Sequence, residues 1–380
     1  MHQVLFRIPV PGWPDGIPVQ GFGLMLLAGF LCANWLATRL ARREGVPEGM
    51  VQDIGLWLFL GGLAGARALY MWENTRDPAD FITRYFRFNE GGIILYGGYA
   101  GGGLALFLGW YLKYRSQPVT PWRLADVYAA PLAVGVALGR IGCLLNGCCY
   151  GQPVPPDYGT IPIHYPLPSA ARFDLSARGL QSPAGFTLDP GSLPEAVVGA
   201  VEKGSGAGDL RPGDRIVAAA GIPVKTAEDI SRILLEDLSG PSYRGVNTLS
   251  ISVMRDGERL DFTYSPRTIG LHPAQLYETV SMGLLALLIL AYLPVRAREG
   301  QAAALFVGCY GAHRFLNELL RSDPRPVGLE SNTSLMMVTG GVLMWLGLRF
   351  LTLPIRRAWP GERVQDAPPA GPMADGGKSG

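Results

Sequence analysis

The chain has 380 residues, of which 48% are hydrophobic and only 17% charged, with a formal net charge of +2. That balance excludes recognition of nucleic acid or of an acidic partner by bulk charge. Mean hydropathy is a modest +0.19 because a polar block near residues 152–270 and a polar tail after Trp359 dilute long apolar runs.

In chain order, the first sixteen residues carry Pro and Gly but no basic n-region and no small-residue cleavage pattern, so they read as a short outer arm, not a cleaved signal peptide. Apolar spans follow at about Val19–Leu40, Val51–Trp72, Gly92–Leu112, Leu124–Leu145, Gln275–Leu293, Gln301–Leu320 and Ser334–Leu353. Each approaches the roughly 20 residues that a helix rising about 1.5 Å per residue needs to cross the hydrocarbon. An odd number of spans puts the termini on opposite sides. Short basic loops (Arg39, Arg42, Arg43; Lys113, Arg115, Arg123; Arg296, Arg298; Arg356, Arg357) all fall on one side, which the positive-inside rule makes cytoplasmic. The amino end and the long polar segment after the fourth span are then exported.

That segment reads as a soluble insert. From Ala196 it alternates a strand, a Gly-rich turn, a strand, a helix from Ala227 and a hairpin around Arg255-Asp256-Gly257. The organisation expected is residues 1–151 for spans one to four, 152–268 for the insert, 269–355 for spans five to seven and 356–380 for a Pro/Gly-rich disordered tail.

Chemistry concentrates in the spans. Arg140 is the last charge of an apolar run that ends in a cysteine- and glycine-rich turn, and an arginine kept in a spanning helix is by default a functional hypothesis, with snorkelling as the alternative. Counted inward from the cytoplasmic ends, Arg67, Arg140 and Arg314 each lie on the order of 20–24 Å deep. Tyr310, Arg314, Glu318 and Arg321 form one polar stripe on the sixth span. Glu318 could simply neutralise Arg314, but three arginines from different helices exceed one carboxylate, and a guanidinium cluster at headgroup depth suits a phosphate. Cys143, Cys148 and Cys149 read as soft metal ligands, nucleophiles or small buried packing. They are neither a disulfide framework nor a paired CxxC zinc site. No histidine is followed by Glu in a His-Glu-x-x-His pattern, which removes an intramembrane zinc protease.

These residues support two resemblances. Leu210-Arg211-Pro212-Gly213-Asp214-Arg215-Ile216, then Gly221-Ile222-Pro223-Val224 and the helix from Ala227, resemble a bacterial PDZ domain over about 180–266. Such a domain adds a peptide strand to its sheet edge; its carboxylate-binding loop would fall near Gly179–Leu188, which is not a clean match. A spacer role is the alternative.

Outside the insert, Gly139-Arg140-Ile141-Gly142 with Asn146-Gly147 and Tyr150-Gly151, His272-Pro273-Ala274-Gln275-Leu276-Tyr277-Glu278, Tyr310-Gly311 with Arg314-Phe315 and Glu318, and Gly65-Ala66-Arg67-Ala68 resemble the prolipoprotein diacylglyceryl transferase family. Gly23-Leu24-Met25 and Gly97-Gly98 add weaker matches. The resemblance implies an all-α polytopic membrane protein of about seven transmembrane helices, here with a small α+β insert, in the bacterial inner membrane with its site facing the exported side. It implies transfer of the diacylglyceryl group of phosphatidylglycerol to the lipobox cysteine of prolipoprotein precursors, with no cofactor and no metal. Arg140 and Arg314 would clamp the phosphate, Glu318 orient Arg314, Tyr310 bond the headgroup and Arg67 help hold the anionic lipid. Gly97, Gly98, Gly142, Asn146, Gly151 and Arg321 would complete the substrate site.

The chain departs from the family pattern at Phe22, Tyr96, Cys143 and Cys148, and Tyr96 stands where the family has its histidine. The proton acceptor is therefore placed at His272, with Tyr96 as the alternative, because a phenol with a pKa of about 10 is protonated at neutral pH. His313 is a further histidine for which core packing is the simple explanation. The rival to catalysis is a lipid-binding membrane scaffold that presents clients through its PDZ-like insert.

Overall fold

The computed structural model describes residues 4–10, 13–75, 78–86, 94–154, 161–166, 169–202, 204–237, 248–321 and 329–350. The expected tail and the residues Gly91 and Gly92 lie outside them. The segment expected as a short outer arm forms an antiparallel hairpin, β1 (Val4–Val10) and β2 (Trp13–Gln20), that runs straight into α1 (Gly21–Arg43).

α2 (Glu48–Asn74), the short α3 (Pro78–Tyr85) and α4 (Leu95–Gly109) follow, α4 ending in a wider π turn over Trp110–Tyr114. α5 (Pro121–Asn146) starts on Thr120, whose hydroxyl accepts from the Arg123 amide at 3.1 Å, and stops at Gly147 in the left-handed region at φ 74°. After the insert come α8 (Ala274–Tyr292), α9 (Gln301–Glu318) and α10 (Leu329–Phe350). A helix thus lies at each of the seven apolar runs. Among the described residues four helical segments, Gly21–Arg43, Glu48–Asn74, Pro121–Asn146 and Ala274–Val295, are long and apolar enough to cross a membrane. Their outward faces carry bare apolar side chains such as Leu27, Leu31, Leu56, Leu60, Leu284 and Leu287, which water would not tolerate over so wide a surface.

α5 is the central helix, packed on α1, α8 and α9, while α2 pairs with α4 and α9 with α10. The α2–α4 pair is a glycine seam: a Cβ at Gly101 would meet Gly61 O at 2.3 Å and Gly65 Cα at 2.9 Å, so only bare backbone lets the helices approach. At the Arg296 end of α8, the side chain of that residue lies 3.0 Å from Asp126 Oδ2 and donates to Glu44 at 2.9 Å. Asp126 in turn accepts the Gly300 and Ala303 amides at 2.8 and 2.9 Å, closing the first turn of α9.

The insert holds α6 (Ala170–Ala177), a two-stranded ladder of β3 (Phe186–Leu188) and β4 (Val198–Val201), then β5 (Arg215–Ala219), β6 (Ile222–Pro223), α7 (Ala227–Arg232), β7 (Leu249–Arg255) and β8 (Glu258–Tyr264). Sheet order is β6-β5-β7-β8. Leu249, Ile251 and Val253 alternate inward on β7 over Ile216, Ile230 and Ile233, a core separate from that of the helices. The β7–β8 turn takes Asp256 and Gly257 at φ 52° and 86°, as a two-residue hairpin of this hand requires. At the turn before β5, Asp214 accepts from the Arg211 amide at 2.8 Å and forms a two-pronged pair with Arg255 at 2.7 and 2.6 Å. Burial works to raise that carboxyl, and the Arg255 fork and the amide outweigh it, holding Asp214 below the usual carboxylate range.

Candidate active site

Three helices deliver charge to one buried point. α8 brings Glu278, 1% exposed, into the space between α5 and α9. Arg140 of α5 places Nη2 at 2.9 Å from Glu278 Oε1, and Arg314 of α9 places Nη1 at 3.7 Å from the same oxygen. Arg314 also reaches Glu318 Oε2 at 3.2 Å, one turn along its own helix, and His313 Nε2 stands 3.8 Å from Glu278 Oε1. An isolated charge at this depth costs several kcal/mol, so the cluster exists only because its members compensate one another.

The wall beside the cluster is aromatic. Tyr310 is fully buried, with its ring edge-on to Tyr99 at 4.9 Å between centroids. The Tyr310 hydroxyl and both polar atoms of the Asn317 side chain are buried without a hydrogen-bond partner of good geometry among the described residues. Hydrogen-bond donors close to guanidinium groups are the chemistry that an anionic oxygen ligand requires.

The other predicted residues are distributed around this point. Arg67, 1% exposed, donates to the backbone carbonyls of Tyr85 at 3.2 Å and Arg84 at 2.7 Å, anchoring the C-terminal turn of α3 to α2. Tyr96, in the first turn of α4, shares a hydrogen bond of 2.7 Å with Ser334 of α10. Gly97 faces the α2 backbone, where a Cβ would sit 2.3 Å from Gly65 O, and Gly98 faces Gly62. Gly142 packs α5 on Phe22 and Met25 of α1. Asn146 is the last residue of α5. Gly151 bridges to Arg321 and donates its amide to His272 O at 3.0 Å, which leaves no room for a side chain there. The His272 ring lies half-buried at the entry of α8 with Nδ1 at 3.5 Å from the Tyr277 hydroxyl.

Sequence reasoning missed two members. Glu278 closes the His272–Glu278 block and was quoted there, yet was given no role. Asn317 occupies the inner face of α9 seven residues after Tyr310, where Glu318 was expected; Glu318 itself is only half-buried. The signal for both was a polar residue on an otherwise apolar helix.

The fold and site define a helical membrane protein with a buried arginine-carboxylate cluster among its helices. The prolipoprotein diacylglyceryl transferase family matches residues 13–347, and the chain belongs to that family. Its similarity to the phosphatidylglycerol-prolipoprotein diacylglyceryl transferase of Rhodopirellula baltica is 34% identity over 182 residues, 44% of this chain and 36% of that protein. The protein of that name from Enterococcus faecalis is 35% identical over 151 residues, 40% of this chain and 51% of the relative. The one from Clostridium tetani is 22% identical over 325 residues, covering 86% of this chain and 87% of that protein.

Proposed function

We propose that the chain transfers the diacylglyceryl group of phosphatidylglycerol to the lipobox cysteine of prolipoproteins and releases glycerol phosphate. The observation that carries this reading is the convergence of Arg140 and Arg314, from different helices, on buried Glu278 beside the unsatisfied Tyr310 and Asn317. The precursor thiol loses its proton, the thiolate forms a bond to the glyceryl carbon, and the carbon–oxygen bond to phosphorus breaks. The departing phosphate gains a negative charge. Arg140 and Arg314 stabilise that charge as it develops, and the Tyr310 hydroxyl and the Asn317 amide donate to the phosphate oxygens. Glu278 keeps the guanidinium groups paired in the absence of lipid.

In this reading the chain crosses the inner membrane seven times with the site facing the exported side, and the PDZ-like insert receives an extended peptide. Helices at all seven apolar runs and a sheet edge at β6 support it. Arg67 holds the fold around the lipid, and Gly97, Gly98, Gly142, Asn146, Gly151 and Arg321 shape the substrate space. His272 and Tyr96 remain candidates for the proton acceptor, and the approach of His313 to Glu278 favours His313 as a third.

The test is transfer from phosphatidylglycerol to a lipobox peptide by the purified chain, read by mass spectrometry of the peptide. Lysine in place of Arg140 or Arg314 keeps the charge and loses the fork, so transfer falls by well over tenfold, about 1.4 kcal/mol or more. Phosphatidylglycerol binding without any transfer would instead favour the scaffold.

A further inference from the structure

Beyond the lipid site, the end of α5 holds a group that the transfer chemistry does not use. Cys143 lies in the last turn of α5, and Cys148 and Cys149 follow the helix stop at Gly147. The three sulfur atoms all lie within 4.8 Å of one another. Sequence separation does not produce this; the turn does. Gly147 takes φ 74° and Cys149, a residue with a Cβ, takes φ 59°, a left-handed conformation that costs an L residue roughly 1–2 kcal/mol. With the Cys148 amide bonded back to Cys143 O at 3.2 Å, the chain reverses and carries both later thiols onto the first.

The turn is held from outside as well. Gln275 of α8 donates to Cys148 O at 2.6 Å and to the Tyr165 hydroxyl at 2.8 Å, and the Ala171 amide donates to Gly147 O at 3.1 Å. Packing alone would be served by any small residue and would not need a strained backbone at Cys149. Cys148 and Cys149 are only partly buried, so an ion can reach them.

We infer that Cys143, Cys148 and Cys149 form a three-thiolate site for a soft monovalent cation, Cu(I). Three sulfurs about 2.3 Å from a common centre stand about 4 Å apart on a triangle, so the observed spacing closes by rotamer adjustment without moving the backbone. An all-sulfur donor set selects Cu(I) by softness, and the three close donors found among the described residues suit a three-coordinate Cu(I), whereas a closed structural zinc site takes four. Binding displaces the thiol protons.

The experiment uses the full chain in detergent, reduced and anaerobic, titrated with Cu(I) buffered by bicinchoninate and in parallel with Zn(II). One Cu(I) binds per chain, and binding weakens at least a hundredfold in Cys143→Ser, Cys148→Ser and Cys149→Ser while Cys32→Ser and Cys309→Ser keep it. Should a serine variant not fold, mapping of thiol alkylation on the unmutated chain gives the same answer: Cu(I) protects Cys143, Cys148 and Cys149 and leaves Cys32 reactive. Substoichiometric copper with all three thiols free, Zn(II) taken up in preference to Cu(I), or a disulfide within the trio that resists copper would each overturn the assignment.

Discussion

Replacing Glu278 by Gln tests the charge cluster at its centre. The carboxylate is 1% exposed and stands 2.9 Å from Arg140 and 3.7 Å from Arg314. Breaking a buried ion pair by removing one partner costs about 3–5 kcal/mol, because the other charge stays buried. Arg314 retains Glu318 at 3.2 Å, so the loss falls mainly on Arg140 and the low end, about 3 kcal/mol, applies. At about 2–4 °C per kcal/mol the unfolding midpoint drops on the order of 6–12 °C. An anionic ligand that binds the folded state should then restore what the carboxylate supplied. The assay is thermal unfolding of the detergent-solubilised chain with added phosphatidylglycerol or with diacylglycerol, which has the same acyl chains and no phosphate. Phosphatidylglycerol should recover most of the loss in Glu278→Gln and stabilise the unmutated chain less. A variant that unfolds within about 2 °C of the parent, or that diacylglycerol rescues equally well, would refute the view of Glu278 as the counter-charge of a phosphate site.

Gly101→Ala places a Cβ 2.3 Å from Gly61 O and should destabilise the α2–α4 pair by about 1–3 kcal/mol, lowering the unfolding midpoint. Gly103→Ala, with nothing within 4 Å, should not. Because Asp214 is held below its unfolded value of about 3.9, its contribution is complete above that pH and disappears as pH falls through the depressed folded value. Pepsin cleavage within Leu210–Tyr264 should therefore rise on acidification below about pH 4, and Asp214→Asn should be cleaved readily above that pH too.

How much was legible in the sequence follows from which forces act locally. Seven apolar runs announce seven helices because hydropathy is a property of each run by itself, although boundaries shifted, as at α1, which begins at Gly21 where a span from Val19 was expected. The β7–β8 hairpin was equally plain, since Asp256 and Gly257 carry their own turn geometry. The opening hairpin was not, because Pro and Gly within β2 argue against a strand and its pairing is with β1 alone. In the site, Arg140 and Arg314 stood out as charges in apolar helices, whereas Glu278 acquires meaning only when α8 packs between their helices. Arg67 stood out by its depth along the span, while its bonds to the carbonyls of Arg84 and Tyr85 become visible only when α3 folds back on α2. The close approach of Gly97 to Gly65 O likewise becomes visible only in the packed helices.

Three residues compete for the role of proton acceptor. Tyr96 shares its hydroxyl with Ser334. His272 sits at the entry of α8 beside Tyr277, within reach of a thiol arriving from the exported side in the proposed topology. His313 lies 3.8 Å from the carboxylate that pairs the arginines, so a proton taken there would add positive charge beside the phosphate as its own negative charge grows. That coupling gives His313 an advantage that His272 lacks. The pH profile of transfer separates them. A limb of the profile that vanishes in one histidine-to-Gln variant, with transfer reduced by about a hundredfold or more, identifies the acceptor, and Tyr96→Phe should keep the limb. Full activity in both His272→Gln and His313→Gln with transfer abolished in Tyr96→Phe would reject an imidazole altogether and leave Tyr96 as the acceptor.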